Sequence, residues 1–456
     1  MEQIGSVPDK ALTTKPHELD KPGRQNNRIL VRGLSWLFRC ASFSFLTTTL
    51  VVGVRHIGVL QSMELGVFDG MTRTRPAEKV DGRILTIEIT EDDLIYQNEK
   101  KMNRQGSLSD QALSQILEKL KPHQPAAIGI DIYHDFPTDS KSPNLTKRLQ
   151  EADNLFMICQ HSSPQEDFRG TMPMAGFPQE RLGFSDIIND SDGVVRRSVF
   201  HMNAQESSPC KIEFSLSMQL AVYYLTNRQE PIEVSSNPKT GEITIGEKKI
   251  PVISSHWAGY QGIDASGYQM MLNYRSLRPT ESITLRKFLE EKISPNLIKD
   301  KIILIGVTAP TYKDYHSTPY TLKQDADRKV AGVFLQANLT SQIISGVLEN
   351  RPFIHTLGSW EDGIWIFCWT GSMLGILRLI SSYTKNRHIQ LQWLISIGVV
   401  IILSILLELV CFIALSKIGI WLPAIPTQIS ILLISIKQLG KTNLQLKFIQ
   451  DRQNEV

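Results

Sequence analysis

Four apolar runs constrain this chain more than any other feature: one lies near its start and three crowd its end. The first is LSWLF followed by CASFSFLTTTLVVGV, residues 34–54, interrupted only by Arg39. A long basic side chain near a helix end snorkels to the interface, so the run suffices for ~30 Å of hydrocarbon. From Gln61 to Phe353 no run is long enough to span. Then come IWIFCWTGSMLGILRLI (364–380), LISIGVVIILSILLELVCFIAL (394–415) and IGIWLPAIPTQISILLISI (418–436), the last two joined as a tight hairpin.

Charge orients the four. Lys21, Arg24, Arg28, Arg32 and Arg39 lead into the first run, Lys385, Arg387 and His388 follow the second, and Lys437, Lys441, Lys447 and Arg452 follow the fourth. Basic residues mark cytoplasmic flanks, whereas Glu361 and Asp362 stand before the second run. The expected organisation is a basic, disordered cytoplasmic tail (1–33), a first membrane helix (34–58) and an extracytoplasmic domain (59–358). Membrane helices at 361–381, 393–415 and 418–437 follow, with a cytoplasmic loop at 382–392 and a short cytoplasmic tail at 438–456. The long leader and the lack of an A-x-A site favour an anchor over a cleaved signal peptide.

Three features inside the spans invite a reading. GSMLG places Gly371 and Gly375 one turn apart, suited to close helix packing within one chain or between two copies in a homodimer. Glu408 is an ionisable group within a span and is expected to be hydrogen-bonded beside Thr427 or Gln428. Pro423 and Pro426 are expected to kink the fourth helix.

The central region reads as soluble α/β sequence. RILTIEI (83–89), PAAIGIDIY (125–133), LFMICQ (155–160), MMLNYR (270–275) and KIILIGV (301–307) are strand-like, several of them apolar throughout. SDQALSQILEKL (109–120), with Ser109 as N-cap, FSLSMQLAVYYL (214–225) and FLQANLTSQIISGV (334–347) are helical, and LTKRLQEA is a shorter helix. A turn at Asp192-Gly193 opens an exposed strand, and turns at Thr240-Gly241 and Gly246-Glu247 suggest a small hairpin. Apolar strands alternating with helices predict a mainly parallel sheet flanked by helices.

Net charge is only +3 and gives no reason to expect nucleic acid. Of the five cysteines, Cys40, Cys368 and Cys411 lie in the apolar runs. Cys159 and Cys210 lie in the soluble region, where an oxidising compartment would permit a disulfide and a reducing one would leave two thiols. There is no CxxC, HExxH, Walker A or G-x-S-x-G, so neither a metal site, a cofactor nor a catalytic elbow is expected.

Four collinear stretches carry a resemblance: AAIGIDIY, RLGFSDIINDSDGVVRR, KIILIGVTAPTYKDYHSTPY and AGVFLQANLTSQIISG. With one apolar run before them and three after, the chain resembles CHASE2 domain proteins, extracellular sensory modules of bacterial receptors. The resemblance implies a multi-pass protein of the bacterial inner membrane, non-enzymatic, with an extracytoplasmic ligand of undefined identity and output through a kinase or cyclase. The twenty residues after Ile436 hold no kinase or cyclase motif. The output is therefore expected in trans, from a separate cytoplasmic partner.

The polar groups that follow two of the strands are the candidate ligand site. Asp131, His134 and Asp135 follow one, and Thr308, Asp314 and His316 follow another. Neighbouring parallel strands would place their carboxyl ends side by side, where α/β folds bind ligands. Besides a sensor, the sequence admits an envelope interaction protein or a tethered periplasmic enzyme built on those same residues.

Overall fold

The chain enters through a long helix and turns sharply. The computed structural model describes residues 22–454, apart from 140–141, 143, 164–166, 238–241, 322–327 and 385–388. The helix α1 (Pro22–His56) is followed by α2 (Gln61–Thr74), and the two meet at 89°. Residues 22–33, expected to be disordered, are thus the first turns of α1.

The central domain is built on β1 (Asp81–Ile89), β2 (Ala127–Asp131), β3 (Leu155–Cys159), β4 (Leu182–Phe184), β5 (Arg197–His201), β6 (Tyr268–Met271), β7 (Thr280–Thr284) and β8 (Ile302–Val307). Six of these form one sheet in the order β7-β1-β8-β2-β3-β4, every neighbouring pair parallel. The strand β5 pairs antiparallel with β6 as a separate ribbon. Strand β8 is buried along its whole length, because both faces of the sheet are covered. One face carries α3 (Glu91–Glu99), α4 (Asp110–Leu120), α5 (Leu145–Glu151) and α7 (Leu285–Glu290), through Leu94, Ile116, Leu149 and Phe288. The other carries α6 (Leu216–Thr226) and α8 (Gly332–Leu348), through Leu220, Val333, Leu339 and Ile343. Ser109 caps α4 by accepting from the Ala112 N–H at 3.1 Å.

Beyond the domain come α9 (Ser359–Tyr383), α10 (Ile389–Ile413) and α11 (Ala424–Asn454). They pack with α1 as a bundle. Among the described residues, two helical stretches are long and apolar enough to cross a membrane, Ser359–Tyr383 and Gln390–Ile418. Phe38–His56 and Gln61–Thr74 make a third only if the bent pair is one span, and the apolar part of α11, Ala424–Gly440, is shorter.

The expected fourth helix at 418–437 starts later than the sequence suggested. Ile420–Trp421 is instead a short strand that pairs in parallel with His355–Thr356, just before α9. Pro423 precedes α11 and Pro426 lies in its first turn. There a missing N–H costs nothing, so the two prolines start the helix rather than kink it. The helix then continues unbroken into the expected cytoplasmic tail. Lys385, Arg387, His388 and the Thr240-Gly241 turn lie outside the described residues.

The glycine pair is used once. Gly371 faces the Ser44 hydroxyl of α1 in the same chain, 3.7 Å from where a Cβ would stand, and Gly375 faces open space. Glu408 makes no hydrogen bond to either expected partner, and the Gln428 Oε1 is itself buried without one. Gln428 Nε2 donates to Ser404 Oγ at 2.7 Å, and Thr427 Oγ1 donates to the Pro423 carbonyl at 2.6 Å.

Candidate functional site

Strand order decides which polar groups meet. Because β8 inserts between β1 and β2, its Gly306 stands beside Glu88 on one side and Asp131 on the other. A side chain at Gly306 would collide with Val333, so glycine lets α8 lie directly on the strand ends. Gly332, the first residue of α8, does the same against the Asp314 carboxylate.

Asp131 lies on the face covered by α6 and α8, in line with Gly129, which packs on Leu220. Burial, and then the nearby charge of Asp314, push its carboxyl from 3.8 up to about 8. Asp314 Oδ1 is 2.9 Å from His316 Nε2. Thr308 continues the row of Leu304 and Gly306 on β8. Its N–H donates to the Ile89 carbonyl at 2.9 Å and its carbonyl accepts the Tyr315 hydroxyl at 2.6 Å, while its own hydroxyl is buried without a partner. Burial also raises the Tyr133 hydroxyl, which is bonded to Ser185 at 2.6 Å.

Two of the expected residues stand apart. His134 turns to α4, with its Nε2 2.8 Å from Asp110 Oδ1 and its ring against Phe136. Asp110 also accepts from the Asp139 N–H, so this contact fixes the loop after β2. Asp135 is exposed to solvent. Among the described residues no group of three or more His, Cys, Asp or Glu side chains is placed to hold a metal ion. A cleft of about 970 Å³ opens at the opposite end of the sheet, with Asn154, Tyr223, Tyr224 and Asp300 in its wall.

Sequence reasoning missed two charged clusters. In the first, Arg196 is 1% exposed and holds three carboxylates. Its Nε and Nη2 reach Asp69 of α2 at 2.8 and 2.7 Å, and Nη1 reaches Asp190 and Asp192 at 2.8 and 2.9 Å. Arg197 adds a bond to Asp190 at 2.8 Å, and the Tyr260 hydroxyl donates to the same carboxylate at 2.7 Å. Burial, and then the Asp190 carboxylate, hold the Tyr260 hydroxyl well above its ordinary range. The DSDGVVRR stretch is thus a clamp between the domain and α2. In the second cluster, Arg55 of α1 bonds Glu64 of α2 at 2.9 and 3.0 Å, Asp362 of α9 at 2.6 Å and the Ala258 carbonyl at 2.6 Å. Arg55 and Glu64 are only nine positions apart, but Ala258 and Asp362 join from far along the chain and leave no local signal.

Cys159, at the end of β3, is disulfide-bonded to Cys210 across 51 positions of sequence. A cross-link of that span restricts the unfolded chain by about 4 kcal/mol. The double substitution Cys159→Ser/Cys210→Ser is expected to lower the thermal midpoint of the oxidised chain accordingly; an unchanged midpoint would show that no bond forms.

Fold and site together define a parallel α/β domain with a polar carboxyl-terminal edge, carried on apolar helices of which two are long enough to cross a membrane. The CHASE2 domain family matches residues 46–376, most of the chain, and the chain belongs to that family of sensor domains. Comparison with curated proteins and with solved structures gives no match.

Proposed function

We propose that the chain is a four-span inner-membrane receptor with both termini cytoplasmic and a periplasmic domain that senses a small ligand and has no catalysis of its own. The ligand would settle at the edge formed by Asp131, Thr308, Asp314 and His316. Output would pass to a separate cytoplasmic kinase or cyclase.

The observation that carries this reading is the course of α8. Its first residue packs on Asp314, and near its other end Gly346 packs on Phe353, shortly before α9 begins. One helix therefore runs from the polar edge to the segment that leads into α9. A ligand with different affinity for two positions of α8 would shift its population between them.

Alkaline phosphatase fused at Ile250 is expected to be active, and the same enzyme fused to the C-terminus inactive. An inactive fusion at Ile250 overturns the topology. Co-purification of the full chain from membranes is expected to bring a kinase or cyclase that is lost when residues 438–456 are deleted. Retention of the phenotype without that tail favours an envelope interaction protein instead.

A further inference from the structure

A cleft of about 420 Å³ lies where α1, α9 and the 254–261 loop meet. Arg55 and Asp362 are in its wall, and the rings of His56 and His256 stack beside it with centroids 5.0 Å apart. The charges around it do not balance. One guanidinium, Arg55, serves two carboxylates, Glu64 and Asp362. Asp362 is 5% exposed, and while its Oδ2 takes the Arg55 bond, its Oδ1 is buried with no hydrogen-bond partner. A buried carboxylate oxygen left unbonded is costly, and a cationic N–H donor relieves that cost.

Position says how such a donor arrives. Ile57 follows α1 directly and is 74% exposed, and Trp360, in the first turn of α9, is 70% exposed. Ile364, one turn further on, is exposed too. Exposed apolar and indole side chains at the end of a span mark the boundary between acyl chains and headgroups. The two histidines supply ring N–H groups at the same level.

We propose that this cleft binds the headgroup of an aminophospholipid of the outer leaflet, with its ammonium on Asp362 and its phosphate beside His56 and His256. The proposal rests on the four-span reading above. It predicts discrimination by hydrogen bonding rather than by charge alone. A choline headgroup carries the same charge but no N–H, and a glycerol headgroup has no cation.

The test uses the full chain in nanodiscs of phosphatidylcholine doped with either phosphatidylethanolamine or phosphatidylglycerol. Retained lipid is read by native mass spectrometry. Phosphatidylethanolamine is expected to stay bound in preference to both others, and Asp362→Asn is expected to cut its retention about tenfold. His256→Ala, which leaves the Arg55 contacts intact, is expected to weaken retention without lowering the thermal midpoint, and it decides the matter if the Asp362 variant does not fold. Equal retention of the three lipids, or retention unchanged in the histidine variant, overturns the site. Free phosphoethanolamine that stabilises the detergent-purified chain as strongly as the lipid does would identify a soluble amine instead and overturn the lipid assignment. A chain that inserts but shows no preference refutes the site alone, whereas a chain that does not insert refutes the span reading and the site with it.

Discussion

Replacing Asp131 by asparagine is expected to raise the thermal midpoint of the full chain above pH 8 and to leave it almost unchanged below pH 4. The carboxyl of Asp131 titrates near 8 in the folded chain, against 3.8 as its ordinary value, because burial and the Asp314 charge both disfavour its ionised form. Between those two values the folded state keeps a proton that the unfolded state has released. Stability therefore falls as pH rises through that window and levels off above about 8. Each tenfold change in proton affinity corresponds to about 1.4 kcal/mol, and partial solvent access brings the total down to the order of 3 kcal/mol. Asparagine removes the charge and with it the slope. Thermal unfolding followed at several pH values checks this, and parallel curves for the two proteins would refute it.

Loss of Arg196 is expected to be the most damaging single change in the domain. Arg196→Met leaves Asp69, Asp190 and Asp192 facing one another with only Arg197 and Tyr260 still on Asp190. Removing one partner of a buried ion cluster costs about 3–5 kcal/mol, and here the loss falls mainly on Asp69, since Asp190 keeps Arg197 and Tyr260 and Asp192 is exposed. The loss should appear as a lower thermal midpoint and as protease cleavage near α2, since Asp69 is the α2 side of the clamp. Adding Asp69→Asn should restore part of the stability. A variant as stable as the parent would show that the cluster contributes nothing to holding α2.

Where burial and period coincide, the fold was legible. KIILIGV is apolar throughout because β8 is covered on both faces, and its strand runs Ile302–Val307. FSLSMQLAVYYL gave α6 to within two residues at either end. The helix α2 left no such trace. Its buried positions recur at helical spacing, through Leu65, Phe68 and Met71, but Glu64 lies on the same face and Asp69 turns to Arg196, so acids interrupt the apolar pattern. Arg55, nine positions before Glu64, and the distant Arg196 explain those acids. Likewise TESIT is polar because β7 is the edge of the sheet, with one neighbour, β1.

The candidate site divides in the same way. Asp131 lies within reach of the Asp314 charge because β2 and β8 are neighbours, as an α/β reading implies. His134 lies only three positions from Asp131, but its partner is Asp110, and nothing in the local sequence marks that pairing.

The short pairing of His355–Thr356 with Ile420–Trp421 has a mechanical consequence. The His355 N–H donates to the Gly419 carbonyl at 2.8 Å, and Trp421 packs on Phe68 of α2 at 4.6 Å between ring centroids, with Trp257 and Tyr260 of the domain edge-on to it. The strand before α9 is thereby stitched to the hinge between α10 and α11, and both are seated on α2 and the domain. A piston stroke or twist of α9 alone would have to tear that seam. With Arg55 of α1 also bonded to Asp362 of α9, displacing α9 would carry the α10–α11 hinge with it and strain the contact to α1.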